Sequence, residues 1–292
     1  MNNQNFGIIG FPWDGGASLG RPGARYAPKA IRENAQWLIN RIQDGKVYNV
    51  EKRELIDLNE SKIIDYGDID IVAYSTEATF ANAEKRIGEV LDKGDFPFIL
   101  GGDHSISYPG IKALHDRTEG KVGIIQFDSH LDLVDDSPVQ GKFSQSSQIR
   151  RALELPRVAP ENIVQIGVRS YNYPWYGQYL QETGIVQITA REVHGMSAEE
   201  VVRIALEACK NVDRIYLTFD IDVLDPAFAP GSGANEPGGL TSAQCFAILD
   251  GLYPHIHAMD IAEVNPLYDP QQITSSMAAR LLFDCLTVRA KG

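Results

Sequence analysis

The chain is poor in cysteine, in long hydrophobic runs and in positive charge, and each shortage excludes a class of protein. Its three cysteines, Cys209, Cys245 and Cys285, are too few and too far apart for a disulfide framework or a four-cysteine zinc site. No apolar run approaches the roughly 20 residues that a bilayer-spanning helix needs. The first residues also lack the basic and apolar segments of a secretory signal, so we expect a cytoplasmic protein.

The balance of charge is acidic. The sequence has 27 Lys and Arg residues against 39 Asp and Glu residues, a formal net charge of −12. Such a surface repels phosphate backbones and anionic lipids, so we expect neither a nucleic-acid partner nor a membrane partner. Since no internal repeat, low-complexity tract or Pro/Ser-rich linker is visible, the sequence predicts one domain spanning residues 1–292.

Short apolar runs alternate with segments of helical period. The runs lack apolar/polar alternation, which is typical of strands covered on both faces in a parallel sheet. They comprise residues 6–9, 96–100, 122–127, 163–166, 215–219 and 258–261. Helices are predicted over 81–93, 198–210 and 275–288 and after Thr241. This order predicts a three-layer α/β/α fold with a mostly parallel central sheet.

Three polar clusters directly follow predicted strands. They comprise Gly101 to Ser105, Asp128 to Asp132, and Asp220 to Pro226. Ligands of open parallel sheets bind at the carboxyl ends of the strands. An extended chain has a side-chain period of two, so we expect Asp128, His130 and Asp132 on one side, and Asp220 with Asp222 likewise. If the strand ends are neighbours, these five residues and His104 converge on one pocket.

Four carboxylates in one pocket raise one another's pKa unless cations compensate them. Two divalent ions would balance a charge of −4 and accept both imidazoles, with some carboxylates bridging. Carboxylate and imidazole ligands favour Mn²⁺ and leave Zn²⁺, Fe²⁺, Co²⁺ and Ni²⁺ open. Each cluster alone is compatible with an ordinary turn or helix cap. All three at strand ends predict a two-metal site that activates water as a nucleophile.

The clusters resemble those of the ureohydrolase family, which includes arginase, agmatinase, guanidinobutyrase and formimidoylglutamase. The resemblance covers nearly the whole chain and is closest to the agmatinase branch. The segments that carry it, besides the three clusters, are 20–25, 27–32, 218–231, 236–241 and 260–266. It implies an arginase-like fold, hydrolysis of an amidine-type carbon to urea and an amine, and a homo-oligomer, trimer or hexamer.

The resemblance also implies a role for individual residues. One Mn²⁺ would be held by His104, Asp128, Asp132 and Asp220, and a second by His130, Asp128, Asp220 and Asp222, with Ni²⁺ or another divalent metal as an alternative. Glu263 and Asp132 are the predicted catalytic residues. Glu263 would hold the planar guanidinium by a paired contact that turns its face to the nucleophile. Asp103 would either orient a liganding imidazole or cap a helix.

The sequence departs from the family in the stretch 143–151. Gln145 stands where the resemblance leads us to expect a histidine that carries a proton to the leaving amine, and an amide cannot do this. We include Gln145 with Glu236 and Glu263 among the predicted substrate contacts. The amino-acid-binding positions of arginase are not evident in this stretch, which argues against arginase itself.

The nature of the substrate's far end is open at this point. An amine tail would use acidic groups, for which Asp135, Asp136 and Glu236 are candidates, and aromatic side chains of the 171–176 segment. An acid tail would use arginines, with Arg150, Arg151 and Arg169 as candidates. The leading hypothesis is a hydrolase of a small agmatine-like guanidino compound. The alternatives are formimidoylglutamase or another guanidino-acid or amidine hydrolase, and a weakly active or non-catalytic subunit of a ureohydrolase hetero-oligomer.

Overall fold

The computed structural model describes residues 4–17, 21–136, 139 and 141–290, so Gly20 of the resembling segment 20–25 lies outside them. The strands are β1 (Phe6–Gly10), β2 (Lys46–Asn49), β3 (Glu54–Asp57), β4 (Ile63–Asp68), β5 (Phe96–Leu100), β6 (Val122–Phe127), β7 (Val158–Val168), β8 (Val186–Thr189), β9 (Arg214–Asp220) and β10 (Ala258–Ala262). The helices are α1 (Ala27–Ile39), α2 (Thr76–Asp92), α3 (Ser107–Asp116), α4 (Gln148–Ala152), α5 (Tyr176–Thr183), α6 (Ala190–Val193), α7 (Ala198–Ala208), α8 (Ser242–Leu252) and α9 (Ile273–Arg289).

Eight strands form one parallel sheet in the order β4-β1-β5-β10-β9-β6-β7-β8. Helices α1, α7, α8 and α9 pack on one face, and α2, α3, α4 and α5 pack on the other. Strands β5, β6 and β10 are buried along their whole length, which explains their unbroken apolar sequences. The predicted three-layer fold is confirmed.

The sequence analysis did not predict the strands that helices cover least. Strand β4 at one edge has no buried residue, and its exposed residues include Asp65 and Asp68. Strand β8 at the other edge has four residues, and β2 and β3 form a separate antiparallel pair. These strands have no continuous apolar run, so hydrophobic pattern alone does not reveal them.

Helix α2 begins earlier than predicted, because the side chain of Ser75 accepts a hydrogen bond from the backbone N–H of Ala78 and caps it. Thr241 and Gln244 form a full capping box that starts α8. In the described part of the chain, no helix combines the length and hydrophobicity needed to cross a membrane.

The strand order decides where the functional residues meet. Strands β5, β10, β9 and β6 are consecutive neighbours in the sheet. Two of the polar clusters follow β5 and β6, the third begins at Asp220, the last residue of β9, and Glu263 follows β10. All four sets of side chains therefore lie at one carboxyl edge of the sheet.

Candidate metal centre

The first group of possible metal ligands surrounds His104, in the short turn after β5. Its Nδ1 lies 3.0 Å from Oδ2 of Asp128, 3.0 Å from Oδ2 of Asp132 and 2.9 Å from Oδ2 of Asp220. All four side chains are buried, and Nδ1 has no hydrogen-bond partner of acceptable geometry. A buried imidazole nitrogen that converges with three carboxylate oxygens fits the ligand set of a divalent cation.

The second group surrounds His130. Its Nδ1 lies 3.1 Å from Oδ2 of Asp222 and 3.4 Å from Oδ1 of Asp128. Oδ2 of Asp222 is buried without a hydrogen-bond partner, which is the condition expected of a ligand atom. Asp128 belongs to both groups, with Oδ2 in the first and Oδ1 in the second, so its geometry fits a bridging carboxylate.

Turns, not extended chain, bring these residues together. Residues 128–132 lie outside any strand, and Asp132 has a left-handed φ of 53°. Residues 221–223 form a single turn of 3₁₀-helix, in which Oδ1 of Asp220 accepts the backbone N–H of Asp222 at 2.8 Å. The expectation that a side-chain period of two places the ligands on one side was wrong, although the six side chains do converge.

Burial and mutual repulsion perturb the ionisation of this cluster. Burial and the neighbouring Asp128 raise the pKa of Asp132 to about 7. Burial, Asp222 and Asp128 raise the pKa of Asp220 well above its ordinary value. Burial opposes charge on His104, but its contacts with the three carboxylates outweigh this and raise its pKa. The cluster therefore needs protons or cations to be compensated, and a divalent ion can replace protons here.

Glu263 lies at the end of β10, beside the first group. Its φ is 63°, and its backbone N–H donates to the carbonyl oxygen of Gly102 at 2.8 Å. Its Oε1 accepts the backbone N–H of His104 at 2.8 Å. Burial and the charge of Asp103 raise the pKa of Glu263 to about 8. A buried carboxyl of this kind is stabilised in its charged form when a cation binds against it.

Asp103 caps the turn that carries His104, which settles the two roles left open for it. Its Oδ1 accepts the backbone N–H of Ser105 at 2.9 Å, and its Oδ2 accepts that of Gly16 at 2.7 Å. Burial raises its pKa to about 6. Gln145 is half-buried, and its backbone N–H donates to the carbonyl oxygen of Gly16. Because Gly16 also donates to Asp103, it links the loop of Gln145 to the turn that carries His104.

A cavity of about 460 Å³ opens beside His130 and Asp132. The other residues that line it are Leu131, Val134, Ser146, Ser170, Tyr171, Asn172, Tyr173 and Tyr176. Among the described residues, no lysine or arginine lines it. Glu236 lies at its margin, where it accepts a hydrogen bond from the Ser170 hydroxyl at 3.2 Å. The described lining of this cavity is therefore mainly polar and aromatic.

The arginines considered for an acid tail are engaged elsewhere. Arg151 forms ion pairs with Asp135 and Glu154, and Arg150 lies 3.3 Å from Asp135. Arg169 donates to a series of backbone carbonyl oxygens. Asp135, one of the candidates for an amine tail, is paired with Arg150 and Arg151.

Sequence reasoning missed several polar contacts to the predicted ligands. Gln126 donates to Oδ2 of Asp128 at 2.6 Å, and Gln148 forms a short contact with Oδ2 of Asp132. The hydroxyl of Thr218 lies 2.8 Å from Nε2 of His104. The sequence signal for such a role is an amide side chain within an apolar strand, as Gln126 is in β6.

Comparison with known proteins agrees with this geometry. Residues 4–287 match the arginase family. The chain belongs to the arginase family. It is 34% identical to a formimidoylglutamase from Halalkalibacterium halodurans over 97% of this chain and 86% of the relative. It is 35% identical to an agmatinase from Neisseria meningitidis serogroup C over 96% of this chain and 85% of the relative.

The fold comparison agrees as well. The crystal structure of a hypothetical agmatinase from Burkholderia thailandensis superposes with a TM-score of 0.85 at 30% identity, over 99% of this chain and 86% of that chain. The resemblance to ureohydrolases is confirmed, and the protein is a hydrolase of carbon–nitrogen bonds in guanidino or amidino compounds. Family membership leaves the individual substrate open, since the two relatives are named for different ones.

Proposed function

We propose that this arginase-family protein is a two-metal amidinohydrolase that releases urea from a small guanidino compound with an amine tail, such as agmatine. The observation that carries the proposal is the cavity of about 460 Å³ that is lined by His130 and Asp132 of the cluster, by aromatic, neutral polar and apolar side chains, and by no described lysine or arginine. An amine tail finds aromatic faces there, whereas an acid tail finds no lysine or arginine among the described residues of the lining.

The proposed ligands divide into two sets that share two carboxylates. One Mn²⁺ would be held by His104, Asp128, Asp132 and Asp220, and the other by His130, Asp128, Asp220 and Asp222. When bound, such ions would supply the Lewis acidity that makes water a nucleophile near neutral pH. Mixed imidazole and carboxylate ligands favour Mn²⁺, and Ni²⁺ is the alternative to test.

The chain's own residues supply orientation. Glu263 accepts the planar guanidinium, and its carboxylate is held in place by the backbone N–H of His104. A paired, charge-assisted contact fixes the face that the reacting carbon presents to the cluster. Asp132 is proposed as catalytic through its place in the first ligand set, where its Oδ2 meets Nδ1 of His104. Gln145 and Glu236 are proposed to contact the substrate beyond the reacting carbon.

Electrostatics favour the same substrate class. The net charge of −12 attracts cations at long range, although salt weakens this effect. Tyr171 and Tyr173 are exposed and line the cavity, so their rings are accessible to an entering ammonium group. Among the nearby arginines, Arg151 is paired with Asp135 and Glu154, and Arg150 is paired with Asp135.

The test compares kcat/KM for agmatine, guanidinobutyrate, arginine and formimidoylglutamate after reconstitution with Mn²⁺ and, separately, Ni²⁺. We expect agmatine-like compounds to be preferred by tenfold or more. The similarity to a formimidoylglutamase is the specific reason to include an acid-tailed amidine. A tenfold preference for an acid tail would overturn the proposed substrate, and no release of urea, formamide or ammonia from any compound would favour the non-catalytic subunit.

We also propose that residues 1–292 form one catalytic domain of a cytoplasmic homo-oligomer, a trimer or a hexamer. The eight-stranded sheet supports the first point, because it joins strands from both ends of the chain. Light scattering of the purified protein tests the oligomeric state, and a monomer at micromolar concentration would contradict it.

A further inference from the structure

A row of polar side chains crosses the apolar sheet next to the metal centre. Gln187 on β8 is in register with Gln165 on β7, and Gln165 is in register with Gln126 on β6. The same level continues to Thr218 on β9 and to Asp260 on β10. We call these five side chains the polar row. On β6 the polar row contains Gln126, which lies two residues before Asp128.

The amides of the polar row have a fixed direction. A carboxylate only accepts, so the Nε2 of Gln126 must face Oδ2 of Asp128, at 2.6 Å. The Oε1 of Gln126 then accepts from Nε2 of Gln165 at 2.7 Å, and Oε1 of Gln165 accepts from Nε2 of Gln187 at 2.8 Å. Gln165 also donates to the carbonyl oxygen of Leu131, in the loop between the ligands, at 2.7 Å.

The other arm of the row acts on His104 in the same way. The hydroxyl of Thr218 donates a hydrogen bond to Asp260 at 2.7 Å. Because its one proton is used there, the Thr218 oxygen accepts a hydrogen bond from Nε2 of His104, at 2.8 Å. This assigns the proton of a neutral imidazole to Nε2 and leaves Nδ1 free to act as a ligand. Both arms therefore end on residues of the first proposed metal.

Packing alone does not account for the glutamines. Gln126 and Gln165 are fully buried between apolar strand residues, where an aliphatic side chain would need no partner. Their amides are paired with one another, with Gln187, with the carbonyl oxygen of Leu131 and with the carboxylates of Asp128 and Asp132. Each carboxylate oxygen has two acceptor positions, so one hydrogen bond from Gln126 leaves Oδ2 of Asp128 able to bind an ion.

We propose that Gln126 is a positioning residue that fixes the rotation of the Asp128 carboxylate for metal binding. Gln165 and Gln187 hold the Gln126 amide in place, and a longer contact from Gln126 orients the Asp132 carboxylate as well. The longer contact joins Nε2 of Gln126 to Oδ2 of Asp132 at 3.3 Å. This inference rests on the proposed two-metal site. It assigns to Gln126 no contact with the substrate.

The test measures the Kd for Mn²⁺ by competition with a chelating dye, without substrate. In Gln126→Leu the donor is lost, and in Gln126→Glu a side chain of nearly the same shape turns a carboxylate toward Asp128. We expect Mn²⁺ affinity to fall about 10- to 100-fold in both, as for other groups that orient metal ligands. Gln165→Leu leaves the Gln126 amide free to turn and should weaken Mn²⁺ binding less.

Asn162→Leu is the matched control. Asn162 is a buried amide on the same strand as Gln165, but it donates to the carbonyl oxygen of Ala208, away from the cluster. We expect this variant to lower Tm by the same amount with and without Mn²⁺ and to keep the wild-type Kd. The Gln126 variants should instead lose part of the Tm gain that Mn²⁺ produces, because weaker binding stabilises the fold less.

The proposal is overturned if both Gln126 variants bind Mn²⁺ within about twofold of the wild type. If Gln126→Leu does not fold, Gln126→Glu decides by the same criterion. Wild-type protein that binds no Mn²⁺ would contradict the proposed function itself. Urea release by the wild type together with unchanged Kd in the variants would contradict only the role of Gln126.

Discussion

Replacing Arg169 should destabilise the protein without changing its substrate preference. Arg169 follows β7 and reaches across the site to the loops that carry Asp222 and Glu236. Its Nη2 donates to the carbonyl oxygens of Glu236 at 2.6 Å and Asp222 at 2.7 Å, and its Nη1 to that of Val223 at 3.1 Å. Arg169 is therefore a clamp between loops, although its residue type suggested a binding site for an acid tail.

The contacts allow the magnitude to be worked out. In Arg169→Leu the carbonyl oxygen of Val223 keeps the N–H of Leu240, so its loss is small. The carbonyl oxygens of Glu236 and Asp222 lose their shortest donor. Each loss lowers the free energy of unfolding by about 1–1.5 kcal/mol when no other donor replaces Arg169. The sum is about 2–3 kcal/mol, which corresponds to a decrease in Tm of about 3–5 °C for a chain of this size.

Differential scanning calorimetry in the presence of Mn²⁺ measures this decrease, and Arg150→Leu is the control. Arg150 makes one contact of 3.3 Å with the exposed carboxylate of Asp135. Exposed ion pairs contribute about 0–1 kcal/mol, so its Tm should change by no more than about 2 °C. An equal decrease in both variants would refute the clamp. A changed ratio of kcat/KM between acid-tailed and amine-tailed compounds in Arg169→Leu would show contact with substrate.

Three further predictions address the site. Elemental analysis after reconstitution should give about two divalent ions per chain, and Asp128→Ala or Asp220→Ala should lose both; a wild-type content near zero, with Tm unchanged by chelator, would contradict this. Gln145→His should raise kcat on the accepted substrate by about 10²–10⁴, since it restores a proton-transferring group; no gain would mean that another group serves. Tyr173→Ala should raise KM for agmatine about two- to fivefold and leave kcat nearly unchanged, because a ring at the cavity wall contributes a modest cation–π contact; a loss confined to kcat would argue against that role.

The central strands were predictable because burial on both faces leaves an unbroken apolar run. Strands β5, β6, β9 and β10 have bounds within one residue of the predicted ones. The catalytic clusters follow three of these strands directly, so their residue types were visible in the sequence. Edge strands such as β4 and β8 are covered less, and their sequences do not carry that signal.

The availability of charged groups could not be predicted in the same way. Asp135 and Arg151 are 16 residues apart, and only the folded chain pairs them. Gln126 and Gln165 are separated by 39 residues and meet because β6 and β7 are neighbours in register. A side chain's partner across a sheet depends on strand order, which hydrophobic pattern does not encode.

The sequence by itself determined the α/β fold, the residue types of the metal centre and the family, because these depend on local pattern and on the chemistry of clustered carboxylates and imidazoles. Tertiary structure alone decided how the ligands converge. Asp132 with its left-handed φ of 53° and the turn at 221–223 replace the extended geometry that the spacing suggested. It also decided that β10 lies between β5 and β9, which brings Glu263 beside His104. Non-local strand pairing and turn conformation set these positions, and both arise only when distant segments pack together.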